Sequence, residues 1–331
     1  MSLLKNKNIL ITGGCGFIGI NIVEELLKQN AIVTVLDLPS ANWKNLPDKV
    51  KRIEADILNK KTLSGVMKGI DVIYHLAART DIDGKKLEDY EVNFKGTKNL
   101  IEEATKTEHI KQFLFYSTQL VVGIFNEKKF IDESEPYKTK TFYGESKIKG
   151  EEIVKEYCSK AKIPYTIIRP TSVYGPCGEA PYKQFFDSIK KRRYFHIGNA
   201  DNLVSMVYVK NLVNLTLVLT LNKEAYNEIF FANDFNPYTM KDVADTAGAY
   251  YKIKIKTFPN VIIVPIAYGL GIFKLLGINV PLYPFRLKNI KASYYYNIAK
   301  SIDAGYRPKY NLKNGIQETL DWYEKEANSE K

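Results

Sequence analysis

Thr12-Gly13-Gly14-Cys15-Gly16-Phe17-Ile18-Gly19 is the stretch on which the fold turns. A short apolar run, 8–12, precedes it, and 17–29 follows with Ile18, Ile22 and Leu26 at helical spacing. Gly14, Gly16 and Gly19 fit G-x-G-x-x-G, and Gly13, Gly16 and Gly19 fit the looser G-x-x-G-x-x-G. Glycines there permit a tight turn, let backbone approach a pyrophosphate, and let helix pack on strand. The helix N-terminus offers free N–H groups and a positive dipole end to phosphate. Eighteen residues beyond Gly19, the next strand-like run, 31–36, ends in Asp37. Its carboxylate suits the two ribose hydroxyls of NAD and repels the extra phosphate of NADP. The spacing therefore predicts NAD binding, with Asp56, after the third strand-like run, placed to meet the adenine amine.

Outward from this loop the β-α alternation continues. Strands are expected at 51–55, 72–76, 112–117 and 165–169, and helices at 93–105 and 143–161. That order predicts an α/β fold with a doubly wound parallel sheet. After Pro170, turn residues and aromatics accumulate, and 202–221 resumes strand-then-helix order. The expected division is a dinucleotide-binding domain at 1–176 and 203–235. A smaller substrate lobe then comprises 177–202 and 236–331, with 324–331 read as a frayed polar tail.

Tyr143-Gly144-Glu145-Ser146-Lys147 opens the 143–161 helix. The i to i+4 spacing puts Tyr143 and Lys147 on one face. A nearby ammonium favours a phenolate, so Lys147 is expected to lower the Tyr143 pKa and to hold a ribose. Tyr143 then exchanges a proton with a hydroxyl or carbonyl while hydride moves. A hydroxyl partner is expected at the end of the strand in Tyr116-Ser117-Thr118, with Thr118 preferred over Ser117.

The chain has 331 residues, 45% hydrophobic and 26% charged, which excludes a disordered or low-complexity chain. Cys15, Cys158 and Cys177 are odd in number and widely spaced, so neither a disulfide framework nor a zinc site is expected. With no signal peptide read at the N-terminus, a cytoplasmic location is expected. The net charge of +11 comes from scattered Lys, with only seven Arg, so no nucleic-acid partner is expected. The basic run at 190–193 reads as a solvated helix end or an anion-attracting rim. His75, His109 and His196 lack ligand spacing, so no metal is expected; His75 reads as structural. The apolar segment 261–278 is broken by Pro265, Gly269, Gly271, Lys274 and Gly277 and is short for a membrane span. It reads as a core or lobe-packing segment, with membrane-surface contact as the alternative.

Together with His75-Leu76-Ala77-Ala78, Asn93 through Thr97, Arg169 through Pro176 and Gly305-Tyr306-Arg307-Pro308, these motifs resemble the extended short-chain dehydrogenase/reductase family. That family comprises NAD-dependent nucleotide-sugar epimerases and dehydratases built on a Rossmann sheet. The resemblance implies Tyr143 as acid/base, Lys147 as ribose-binding lysine and Thr118 as hydroxyl partner. It implies cofactor contacts at Gly13, Gly16, Phe17, Ile18, Gly19, Asp37, Asp56, Ile57, Leu76, Ala77, Ala78, Asn93, Tyr143, Lys147 and Pro170. Substrate contacts are expected at Arg79 and Arg286, and a homodimer is expected.

Departures refine this. Gln119-Leu120 replaces the acidic pair that dehydratases of the family carry after Thr118, which argues against 4,6-dehydration. Val204-Ser205 replaces the Arg-Asp pair of many nucleotide-sugar members, leaving Arg286 as the candidate clamp. The 180–196 stretch is similar to bacterial surface-polysaccharide enzymes. The segments after Ala78 and before Lys300 look closer to the sterol-dehydrogenase branch. The expected function is C4 chemistry on a nucleotide-linked sugar, as epimerase. The alternatives are an NAD(P)H-dependent 4-ketoreductase and a sterol or lipid alcohol dehydrogenase.

Overall fold

The computed structural model describes residues 3–123, 129–178, 181–275, 287 and 293–329. Seven strands form one parallel sheet: β1 (Asn8–Thr12), β2 (Ile32–Asp37), β3 (Lys51–Glu54), β4 (Val72–His75), β5 (Gln112–Tyr116), β7 (Tyr165–Pro170) and β12 (Glu228–Ala232). β6 (Lys129–Ile131) and β8 (Ser172–Tyr174) to β11 lie outside it, β9 at His196–Ile197, β10 at Leu203–Val204 and β11 at Met206–Tyr208. The order across the sheet is β12-β7-β5-β4-β1-β2-β3. Moving outward from β1 the chain winds first one way, through β2 and β3, and then the other. The switch between β1 and β4 opens a crevice at the carboxyl ends of these strands.

The central strands are continuous apolar runs, as burial on both faces requires. Helices α1 (Phe17–Lys28) and α5 (Val209–Leu219) cover one face, where Ile22, Val23 and Leu26 meet Leu212 and Leu215. Helices α2 (Thr97–Ala104) and α3 (Phe142–Lys160) cover the other, where Leu100, Ile101, Val154 and Cys158 pack on Phe113 and Phe115. The expected helix at 93–105 begins as a π-helical turn over Val92–Gly96 and becomes α-helical at Thr97.

The remaining elements build a smaller layer beside the crevice. They include α4 (Tyr182–Lys190), α6 (Met240–Tyr250), α7 (Asn260–Leu275), α8 (Ala299–Asp303) and α9 (Leu312–Ser329). Phe186 and Ile189 of α4, Val243 and Ala247 of α6, and Ile316 and Leu320 of α9 share one buried cluster. The short strands β13 (Tyr238–Thr239), β14 (Thr257–Phe258) and β15 (Tyr294–Tyr296) pair with β10, β9 and β6 respectively.

Two expectations are corrected. The polar stretch from 324 is not a frayed tail: α9 continues to Ser329, and Lys190 holds Glu324 at 2.6 Å. The segment from 261 is not simply a packing element. Along α7, Ile263 and Ala267 are buried, but Val261, Ile262, Ile266, Tyr268 and Ile272 are exposed. Among the described residues no helix is long and apolar enough to cross a membrane.

α3 must sit close to the sheet, and Gly150 is what allows it. A Cβ at Gly150 would lie 2.7 Å from the Phe115 ring and 3.0 Å from the Asn93 carbonyl oxygen. Phe115 is fully buried and cannot swing away. Gly150→Ala gains helix propensity of about 1 kcal/mol but overpacks this contact by about 1–3 kcal/mol. The expected net result is a lower urea unfolding midpoint; a midpoint at or above wild type would contradict the tight α3–sheet contact.

Candidate active site

A cleft of about 850 Å³ opens where the sheet order reverses. Its floor is the glycine loop. Gly13 has φ +72°, and a Cβ there would lie 2.7 Å from Ala77 N. A Cβ on Gly19 would lie 2.5 Å from Gly13 O. The loop is thus compressed between β4 and α1, and only glycine fits. α1 starts at Gly16 with no side-chain cap, and Gly16, Phe17 and Ile18 line the cleft beside that end. An uncapped helix N-terminus bordering a cleft suits a pyrophosphate.

Asp37, at the end of β2, lines the cleft next to the loop. Its carboxylate accepts from Cys15 N and Leu38 N, both at 2.9 Å, so its position is fixed by backbone. Asp56 and Ile57 line the same end. Ile57 packs where a Cβ on Gly96 would collide with its Cδ1 at 2.6 Å. Leu76, Ala77, Ala78 and Arg79 form the middle of the wall, and Pro170 the far side. Burial, reinforced by Asp37, pushes the Cys15 thiol up to about 12, so it stays protonated.

Thr118, Tyr143 and Lys147 all border this cleft, with Ser117 beside them. Thr141 caps α3 by accepting from Gly144 N at 3.0 Å, which sets Tyr143 in the first turn. Burial pushes the Tyr143 phenol up to about 12; the Thr118 hydroxyl that faces it pulls the other way, and Tyr90 adds to the rise. Burial also lowers Lys147 to about 7, against the pull of Glu151. The expected depression of Tyr143 by Lys147 is not found: Lys147 is not among the groups that shift Tyr143, and desolvation, which penalises both charged forms, dominates. Lys147 Nζ sits 4.3 Å from the Phe115 ring centroid.

Beneath the pair lies a buried polar network. Arg169 donates to both oxygens of Glu151, at 2.9 and 2.8 Å, and the two side chains are 2% and 0% exposed. Ser117 Oγ donates to Glu151 at 2.5 Å and Tyr137 Oη at 2.8 Å. Burial raises the Glu151 carboxyl, but Arg169, Ser117 and Tyr137 together hold it below its usual range. Glu151 was legible in principle, since it repeats the Tyr143–Lys147 spacing at i+4. His75 is a bracket, with Nδ1 2.7 Å from Thr12 Oγ1 and Nε2 2.9 Å from Thr97 Oγ1. Burial, then Lys147, lowers it to about 3 and keeps it neutral.

Three expected residues need comment. Asn93 lies behind the wall: it accepts from Arg79 N and donates to Arg79 O and Ser146 Oγ. Arg79 lines the cleft, but its guanidinium is engaged by Asp81 at 2.7 Å. Arg286 falls outside the described residues. Missed by sequence reasoning were Tyr174, Tyr182 and Tyr323, which bring the second layer's aromatics to the cleft. Tyr174 and Tyr182 lie eight residues apart and Tyr323 far along the chain, so the three share no local pattern.

Asp37→Ala is expected to weaken NAD at least about tenfold, the scale of one charge-assisted hydrogen bond, while NADP is weakened less. Calorimetric titration of both dinucleotides checks this, and equal losses would remove Asp37 from ribose recognition. Glu151→Gln leaves Arg169 buried without its partner, so a loss of about 3–5 kcal/mol is expected at neutral pH. A carboxylate depressed in the folded state stabilises above its unfolded pKa, near 4.5, and loses that effect as pH falls through the folded value. The wild-type advantage over the Gln variant should therefore shrink below about pH 4.5; an advantage independent of pH would contradict an ionised Glu151.

The known proteins that this chain resembles agree with the geometry. The model of the NAD dependent epimerase/dehydratase family matches residues 9–230. The sterol-4-alpha-carboxylate 3-dehydrogenase (decarboxylating) of Candida albicans is 31% identical, covering 96% of this chain and 97% of that protein. The N-acetyl-alpha-D-glucosaminyl-diphospho-ditrans,octacis-undecaprenol 4-epimerase of Escherichia coli O157:H7 is 26% identical, covering 96% and 95%. Among solved structures, the UDP-glucose 4-epimerase of Thermotoga maritima superposes with a TM-score of 0.77 at 23% identity, covering 97% and 99%. The UDP-glucuronic acid 4-epimerase of Bacillus cereus in complex with NAD gives 0.75 at 22%, covering 96% and 99%. With its glycine loop, Asp37 and paired Tyr143 and Lys147 on one cleft, this chain is an NAD-using enzyme of the NAD dependent epimerase/dehydratase family.

Proposed function

We propose that the protein is a 4-epimerase of a nucleotide- or diphosphate-linked sugar, serving surface-polysaccharide synthesis. The observation that carries this is the arrangement of Thr118, Tyr143 and Lys147 on one wall of the cleft that Asp37 and the glycine loop close at the other end. Bound NAD supplies the hydride acceptor and, when reduced, the hydride donor. Tyr143 acts as its phenolate, its own proton having first passed to solvent: Oη takes the C4 hydroxyl proton as hydride leaves C4, and returns it when hydride comes back on the other face. Thr118 Oγ1 steadies the same oxygen. Lys147 holds the nicotinamide ribose, and its charge, drained by burial, is sustained by Glu151. Pro170 borders the nicotinamide end, and Arg79 lies toward the substrate.

In this reading 1–176 and 203–235 bind NAD, while 177–202 and 236–331 form the substrate lobe. The separate buried cluster of α4, α6 and α9 supports that division. A cytoplasmic homodimer is the working assembly. A second reading, a sterol or lipid alcohol dehydrogenase, draws support from Val204 and Ser205. Ser205 Oγ is spent on Tyr294 O at 3.1 Å, so no charged side chain stands there for a diphosphate.

Denaturing the purified protein and identifying released dinucleotide by mass spectrometry separates these readings. Near-stoichiometric NAD, with turnover of UDP-hexoses, is the expected result for an epimerase that regenerates its cofactor. A protein that comes cofactor-free and turns over added NAD with a sterol alcohol would replace it. Tyr143→Phe should keep its NAD and lose about 10²- to 10⁴-fold in turnover; a loss under about tenfold would remove Tyr143 as acid/base.

A further inference from the structure

α7 presents one face to solvent, and from Val261 to Ile272 its described exposed side chains are apolar. Val261, Pro265, Tyr268 and Ile272 recur at i, i+4, i+7 and i+11, flanked by Ile262 and Ile266. Val261 is 79% exposed, Tyr268 63% and Ile272 62%, whereas Ile263 and Ala267 on the opposite side are buried. Scattered single apolar residues on a surface need no explanation, but a continuous helical stripe does. Its exposed members include an aromatic of the kind that suits a water–lipid boundary.

The surroundings of α7 are basic. β9 and β14 pair in parallel, with His196 N donating to Lys256 O at 2.8 Å. That pairing brings together the two segments that lead into them. One carries Lys190, Lys191, Arg192 and Arg193, and the other Lys252, Lys254 and Lys256, all exposed. Lys190 is engaged by Glu324 and Lys191 by Asp187, so the field at this rim rests on the other five. The nearby Asp245 is paired with Lys241 and hydrogen-bonded to His196 Nε2. Phe195 and Phe258, both partly exposed, meet edge-to-face at 5.1 Å between the cations and the start of α7.

We propose that α7 and this basic rim form a docking surface for a lipid bilayer bearing anionic headgroups. The apolar stripe enters the headgroup region lying flat, as an interfacial helix does, and the five cations face the anionic surface. The helix spans 16 residues interrupted by Pro265, which suits lying in the interface and not crossing it. Charge argues against a second copy of the chain as occupant. Pairing two such faces would set basic rim against basic rim in a chain of net charge +11. The proposal does not depend on which alcohol the cleft oxidises.

Flotation of the full chain with vesicles tests it. One set is an equimolar mixture of phosphatidylglycerol and phosphatidylcholine, the other phosphatidylcholine alone. Binding to the mixed vesicles is expected, much weaker binding to the neutral ones, and release as salt rises. Ile262→Ser/Ile266→Ser/Ile272→Ser and Lys252→Glu/Lys254→Glu/Lys256→Glu alter exposed positions outside the cleft. Each should keep bound NAD and reduce partitioning at least about tenfold. No binding by wild type, or binding that neither variant weakens, overturns the proposal. So does a change confined to self-association, read by light scattering without vesicles.

Discussion

Two charges that water would solvate well, Glu151 and Arg169, are sealed between α3 and the sheet, and the catalytic wall depends on their pairing. Removing both from water costs several kcal/mol per ion. Much of the cost is offset, since Arg169 grips both carboxylate oxygens and Ser117 and Tyr137 donate to the same group, although Arg169 Nη1 is buried without a hydrogen-bond partner. The guanidinium also lies 5.7 Å from the Phe231 ring centroid and 5.5 Å from that of Tyr137. Three elements are thereby locked in register. α3 contributes Tyr143 and Lys147, the end of β5 leads to Ser117 and Thr118, and β7 ends in Pro170. A shift of α3 by one residue would break the ion pair and the site together.

The same carboxylate has an electrostatic consequence. Lys147, one turn before Glu151, is stripped of water and held near neutrality in its titration. His75, facing the same region, is kept uncharged and so adds no repulsion. Tyr143, pushed up to about 12, holds its proton firmly. The phenol and ammonium are therefore both poised toward their neutral forms by burial. Cationic charge arriving in the cleft stabilises the phenolate and works against the ammonium.

Much of this was legible in the sequence where a local pattern carries the physics. The glycine loop, Asp37 and the i, i+4 spacing of Tyr143 and Lys147 are such patterns, and the cleft gathers all of them. What local patterns do not carry is burial. The lowering of Tyr143 by Lys147 is a sound two-body expectation, but desolvation is a many-body property of the folded site, and it prevails. Asn93 belongs to the right motif yet turns its amide to Arg79 and Ser146, because its strand-end neighbours need a bracket. The helix to Ser329 was read as a tail because its stabilising contact, Glu324 with Lys190, spans 134 residues. The apolar stretch from 261 has the composition of a core segment, and only tertiary placement shows which of its faces is covered.

The architecture also explains how chains so alike can act on alcohols so different. In the proposed reading the chemistry is confined to groups from α3 and the strand ends, which would meet one hydroxyl-bearing carbon and require nothing of the rest of the substrate. In that reading discrimination falls to the opposite wall, where Tyr174, Tyr182 and Tyr323 arrive from segments outside the seven-stranded sheet. Tyr174 packs at a tilt against Tyr182, with ring centroids 5.8 Å apart, and against Tyr208 at 5.4 Å, and its hydroxyl reaches buried Asp234 at 3.4 Å. Burial raises that carboxyl to about 6, opposed by Asn211, Tyr208 N and Tyr174. Tyr174 and Tyr323 are buried, so of the three Tyr182 offers the aromatic surface on which a sugar ring or a fused hydrocarbon ring could stack. Selectivity between them then turns on charge at the mouth of the cleft, since a diphosphate needs a cation there and a sterol does not.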